Sequence, residues 1–177
     1  DAKTLKQIST GKKENKFGVD EKTFFDLVNY SKLSKNISLK CLSVHIGSQI
    51  LDYKPYEKML KVVDKIVKKS NHEFKFIDLG GGMGISYEKN NKKLNYQKYN
   101  IAIKKFLKNH KSKIIFEPGR SIVGNIGSLI SKVIYIKEND KKDFIILDAA
   151  MNDLMRPALY GANHRTLPVI KTNQTSK

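Results

Sequence analysis

Three short peptides concentrate the residues of this 177-residue chain whose types and spacing could do chemistry: His45-Ile46-Gly47-Ser48-Gln49, Asp78-Leu79-Gly80-Gly81-Gly82-Met83-Gly84 and Glu117-Pro118-Gly119-Arg120-Ser121. Three consecutive glycines bare the backbone N–H groups, and a phosphate is the usual guest of such a nest; a flexible turn is the plainer reading. The dinucleotide signature GxGxxG fails because position 85 is isoleucine, and Gly11-Lys12 lacks the earlier glycine and following hydroxyl of a nucleotide-triphosphate loop. His45 closes an apolar run beside Gly47 and the hydroxyl of Ser48, which suits either a structural imidazole or one facing a ligand. Glu117 follows Ile114-Ile115-Phe116, and a carboxylate at the end of a buried strand needs a cationic or hydrogen-bonding partner. That partner is either Arg120, closing the structure, or the cation of a ligand.

Arginine is scarce. Of 34 cationic residues 31 are lysine, and only Arg120, Arg156 and Arg165 remain. Where lysine is the default cation, a retained arginine points to a position that needs a planar, bidentate donor. No metal site is expected: His72, His110 and His164 are far apart in sequence, no HExxH occurs, and the single cysteine, Cys41, builds neither a multi-cysteine zinc site nor a disulfide. Cys41 is expected in the core.

The elements that must position these groups follow from periodicity. Asp20 caps a helix through about Leu33, with Phe24, Leu27, Val28 and Leu33 on one side. Further helices are expected over residues 53–70, with Tyr56, Met59, Leu60, Val63, Ile66 and Val67 at spacings of three and four, and over 96–108, with Tyr99, Ile103, Phe106 and Leu107. Short apolar strands lie between them at 37–46, 74–79 and 114–116. Strands alternating with amphipathic helices mean βαβ units and a parallel sheet, and function then collects at the carboxyl ends of the strands, where all three peptides stand. After Gly127 the rhythm changes to two strands, 128–137 and 144–147, joined by a polar turn. The expected organisation is α/β: residues 1–127 as the later part of a (β/α)8 TIM-type barrel, and 128–177 as the first strands of a C-terminal β domain. A complete barrel takes ~250 residues, so these units form either part of one or a small open sheet.

Composition bounds the rest. A hydrophobic share of 40% with 29% charged residues is that of a globular chain. No apolar run approaches the ~18 residues of a membrane span, and residues 1–7 lack the features of a signal peptide, so a cytoplasmic protein is expected, without a membrane partner. The net charge of +17 raises the alternative of a non-catalytic basic module that binds nucleic acid. Its lysines are spread along the chain with no dense stripe interleaved with aromatics, so no nucleic-acid partner is expected.

The three peptides, followed by Met151-Asn152-Asp153-Leu154-Met155-Arg156-Pro157-Ala158-Leu159-Tyr160, closely resemble the diaminopimelate decarboxylases. The similarity runs from about Ser9 and Lys16-Phe17-Gly18 onward. That family uses pyridoxal 5'-phosphate on an alanine-racemase-like barrel joined to a β domain and makes L-lysine from meso-2,6-diaminopimelate. The resemblance implies that His45 stacks on the pyridine ring, that Ser48 bonds the cofactor phosphate, and that Gly80, Gly81 and Gly82 with the backbone of Gly119 and Arg120 complete the phosphate cradle. It implies that Glu117 faces the pyridine nitrogen, and that Arg120, Arg156 and Tyr160 bind substrate. A homodimer is likewise implied. The family's Schiff-base lysine and acid cysteine have no matching peptide here, so no catalytic residue of that kind is assigned and the chain alone is expected not to turn over. Asn163 and Ala150 stand where the family often has tyrosine and glycine. Decarboxylation of another basic amino acid, such as ornithine, is the alternative within the same chemistry.

Overall fold

The computed structural model describes residues 16–87 and 93–170; expectations on residues 9–12 and on the tail beyond 170 fall outside them. Two compact units divide the chain, one through Ser86 and from Lys92 to Gly127, the other comprising Tyr87–Asn91 and the residues from Ser128 on.

The first unit begins with helix α1 (Glu21–Leu33), whose first turn is capped by the Asp20 carboxylate accepting from the Thr23 amide at 2.7 Å. Strand β1 (Cys41–Ser43) leads to helix α2 (Lys54–Ser70), started by Pro55 and ended by Asn71 in the left-handed conformation. Strand β2 (Phe76–Asp78), helix α3 (Tyr96–Leu107) and strand β3 (Lys113–Ile115) complete the βαβ pattern, and the short helix α4 (Arg120–Val123) follows. The strands form one parallel sheet in the order β1-β2-β3, in which Leu42, Ile77 and Ile114 share a row.

That row faces the helices. Tyr56, Met59, Leu60, Val63 and Val67 of α2 and Tyr99 and Phe106 of α3 bury against Leu42 and Ile77 in one core. At ~25 cal/mol per Å² of apolar surface, burial of these side chains is the main force seating both helices on the sheet. Strand residues alternate faces, so the neighbouring rows, Cys41–Phe76–Lys113 and Ser43–Asp78–Ile115, point to the other side.

Four expectations are corrected. Cys41 is exposed rather than in the core, because the two-residue period buries Leu42 in its place. The end of β3 is not buried: it is an edge strand on which Ile115 and Phe116 are 39% and 41% exposed. In α1, Leu33 is 86% and Leu27 50% exposed, and the inward face is carried by Val28 with Phe24 and Ser31. The regular strands are shorter than the apolar runs suggested, since ladder hydrogen bonds stop where the chain turns into the three peptides.

In the second unit, β4 (Val133–Lys137) and β5 (Phe144–Leu147) pair antiparallel, and helix α5 (Arg156–Tyr160) follows. The hairpin is closed at its base by Asp148, which accepts from the Lys132 amide and the Ser131 hydroxyl, each at 2.8 Å. Those two donors hold its carboxyl below the ordinary value. Both faces of the hairpin are exposed, including Ile134, Tyr135, Ile145 and Ile146. Among the described residues, no helix is long and apolar enough to cross a membrane.

Candidate functional site at the strand ends

Beyond its last ladder residue each strand of the first unit runs on into one of the three peptides, and main-chain bonds carry the sheet forward as a scaffold. The Val44 amide donates to Asp78 O at 2.9 Å, Leu79 to Ile115 O at 3.0 Å, Glu117 to Gly80 O at 2.9 Å and Ile50 to Gly82 O at 2.9 Å. The three peptides are therefore neighbours, in the order His45–Ser48, Gly80–Gly82, Glu117–Arg120.

The glycines have two separable duties. A Cβ on Gly80 would come 2.6 Å from Val44 O and 2.9 Å from His45 Nδ1, one on Gly81 would overlap Glu117 O, and one on Gly82 would overlap Gly47 O. Gly80 and Gly82 also hold φ values of 64° and 89°, which favour glycine. The triple glycine thus exists first to let three strand ends lie against each other. Gly119, by contrast, has nothing within 4 Å of a Cβ position, so its bare face is open.

Buried groups pin the turn from below. The Asp78 carboxyl, itself buried, accepts from the Gly80 amide at 2.8 Å and from the Ser43 hydroxyl at 3.2 Å. Tyr56, fully buried on α2, donates to Gly81 O at 3.1 Å. Burial, then the neighbouring Tyr99, pushes its phenol well above the ordinary value, so it stays a donor throughout the physiological range.

Above the turn the polar groups are open. His45 is exposed, with Nδ1 3.4 Å from the Gly81 amide. Ser48 is half-buried and its hydroxyl has no partner among the described residues. Glu117 is exposed and, among the described residues, makes no ion pair. The alternative in which Arg120 closes on Glu117 is overturned: Arg120 Nη1 donates instead to Gln49 Oε1 at 2.9 Å. Among the described residues the amides of Gly82, Gly119, Arg120 and Ser121 have no acceptor within the chain. An oxyanion-rich group fits such bare amides, and a protonated ring nitrogen fits an unpaired carboxylate. The residues present therefore suit a phosphorylated pyridinium ligand.

Arg156 and Tyr160 lie in the second unit. The Arg156 guanidinium stacks over the rings of Tyr87 and Tyr160, 5.4 and 5.7 Å from their centroids, and His164 meets the edge of Tyr87 at 5.4 Å. The Nε atom of Arg156 and Nε2 of His164 are buried without a partner among the described residues. Sequence reasoning gave no role in the site to Gln49, Asp78, Tyr56 or Tyr87. Only Gln49 and Asp78 carried a signal, as polar residues inside the three peptides.

Residues 1–124 match a family model described as "Pyridoxal-dependent decarboxylase, pyridoxal binding domain". The chain is 42% identical over 173 residues to diaminopimelate decarboxylase of Aquifex aeolicus, covering 96% of this chain and 41% of the relative. It is 44% identical over 167 residues to that of Helicobacter pylori strain J99, covering 93% and 41%. A crystal structure of the Helicobacter pylori enzyme complexed with L-lysine superimposes with a TM-score of 0.90 at 41% identity, over 98% of this chain and 44% of that one. The chain thus spans about 41% of the length of these curated relatives.

Proposed function

The chain belongs to the pyridoxal-dependent decarboxylases, with the α/β barrel architecture of that family, and from that membership we propose that it carries the cofactor cradle of a diaminopimelate decarboxylase. The reaction is loss of carbon dioxide from meso-2,6-diaminopimelate to give L-lysine. The observation that carries this reading is the grouping, on adjacent strand ends, of an unpaired carboxylate at Glu117, an exposed imidazole at His45 and acceptor-free amides at Gly82, Gly119 and Arg120.

Pyridoxal phosphate, when bound, supplies a ring that takes up the electron pair left behind as carbon dioxide departs. The chain's own residues set the conditions. Glu117 would hold a proton at the ring nitrogen, which would keep the ring electron-poor. His45 would stack on the ring. Ser48 and the open amides of Gly82, Gly119 and Arg120 would take the phosphate, whose charge they match with donors already in place, while Gly80 and Gly81 shape the turn that carries them. The family resemblance also gives substrate binding to Arg120 and, in the second unit, to Arg156 and Tyr160, the guanidinium groups serving as bidentate donors to carboxylate. Residues 1–127 serve as the barrel part and 128–177 as the start of the β domain. A cytoplasmic homodimer is the assembly that the family resemblance supports.

Replacing Glu117 by alanine in the full-length protein lowers the decarboxylation rate by about a hundredfold or more while the absorbance of bound pyridoxal phosphate persists. Near-normal activity in that variant contradicts the role. Parallel turnover of meso-diaminopimelate and ornithine checks the substrate, with diaminopimelate preferred; preference for ornithine contradicts it.

A further inference from the structure

We propose that Gln49 is a positioning residue for Arg120, one that aims the guanidinium while leaving its charge free for an anionic ligand; the inference rests on the cradle reading above.

The geometry is specific. Gln49 is one of two non-glycine residues with positive φ among the described residues, at 64°, a conformation disfavoured by a Cβ and tolerated where surrounding contacts over-determine it. Its side chain explains the tolerance. Nε2 donates to Ile85 O at 2.5 Å and Oε1 accepts from the Ile85 amide at 3.3 Å, so the backbone N–H and C=O of one residue clasp both ends of the carboxamide. The clasp fixes which end carries oxygen, and that oxygen accepts from Arg120 Nη1 at 2.9 Å. Gly84 makes room for it: a Cβ there would stand 2.9 Å from the Gln49 carbonyl carbon.

The acceptor is neutral, and that is the physical point. A carboxylate facing Arg120 would pair with it as two parallel charge-assisted bonds and cancel its charge. An amide oxygen takes one N–H, sets the plane, and leaves the remaining donors and the full positive charge for an oxyanion. Glu117, three residues before Arg120, does not compete for it: Arg120 forms no ion pair among the described residues. The oxyanion is a carboxylate or a phosphate monoester, and two binding measurements separate these sources.

The test uses the full-length protein with Gln49→Glu and Gln49→Leu. Pyridoxal phosphate affinity is read by absorbance titration, and KM for meso-diaminopimelate by initial rates. Gln49→Glu is expected to weaken one of the two by about tenfold, and by more than Gln49→Leu does, because it claims the guanidinium rather than merely releasing it. A loss in the titration assigns the phosphate, and a rise in KM larger than any fall in kcat assigns the substrate carboxylate. Should Gln49→Glu not fold, Gln49→Leu is measured with Arg120 and with Arg120→Ala. The inference requires its effect to vanish in the alanine background, and an equal effect in both backgrounds overturns it. If the unsubstituted protein takes up no pyridoxal phosphate, the cradle itself is wrong. If uptake is normal and Gln49→Glu binds no more weakly than Gln49→Leu, only the role of Gln49 is lost.

Discussion

Asp78 illustrates how much of the site is held by residues that no ligand touches. Its carboxyl is buried beneath the glycine turn, where it accepts from the Gly80 amide and the Ser43 hydroxyl, and among the described residues it has no cationic partner. Leaving the buried Gly80 N–H without an acceptor costs about 1–3 kcal/mol. Asp78→Leu, similar in size but without an acceptor, is therefore expected to lower the unfolding free energy of the full-length protein by that amount in a urea titration. Asp78→Asn keeps an oxygen in place and recovers most of it. Equal stability of the two variants would mean that the Gly80 bond contributes nothing. This residue stood in plain view beside the triple glycine, yet an aspartate before glycines reads equally well as a turn former. Its partner Ser43 lies 35 positions earlier, and only the parallel pairing of β1 with β2 brings the two together.

At the scale of elements, the helices and the order of strands were legible because α2 repeats apolar residues at spacings of three and four and α3 does so nearly as well. The inward faces were less so. Leu33 and Leu27 have the right type and nearly the right phase in α1, but the residues the helix buries are Val28 and Ser31. Cys41 failed for the complementary reason: in a run of strand residues hydrophobicity says that something is buried, while the pleat decides which. One tie between elements could not be foreseen at all. Asp64 on α2 accepts from Lys68 Nζ at 2.8 Å and meets His110, just beyond α3, at 2.8 Å. The Lys68 hydrogen bond, with that of His110, holds the Asp64 carboxyl below its ordinary value. A depressed carboxyl stabilises the fold above its unfolded value of ~3.9 and loses that contribution as the pH falls through the folded one. Thermal melts between about pH 6 and pH 2 should accordingly fall less steeply for Asp64→Asn than for the unsubstituted protein. Near neutral pH the partly exposed cluster contributes under about 1 kcal/mol. Parallel acid-side slopes would show that Asp64 titrates alike in the folded and unfolded chain.

For the whole molecule, the two units differ in how much of their own surface they bury. In the first, α2 and α3 cover one face of a three-stranded parallel sheet, while the row Ser43–Asp78–Ile115 and the edge at β3 face away from that core. In the second, an apolar hairpin is exposed on both faces. Parallel sheets are ordinarily covered on both faces, which accords with a chain that spans about 41% of its relatives' length. The change of period after Gly127 was readable in the sequence, because an apolar run followed by the turn Glu138-Asn139-Asp140 breaks the helix–strand rhythm. The clustering of Arg156 with Tyr87 and His164 was not, since these residues are separated by up to 77 positions and share no motif.

The central claim is that Glu117 and the bare amides of the glycine turn grip opposite ends of one pyridoxal phosphate. A crystal structure of the full-length protein with the cofactor bound tests it most directly. The account predicts the phosphate seated on the peptides of Gly80–Gly82 and Gly119–Arg120, with the Glu117 carboxylate on the ring nitrogen. A cofactor found elsewhere, or a ring nitrogen facing any other group, would contradict it.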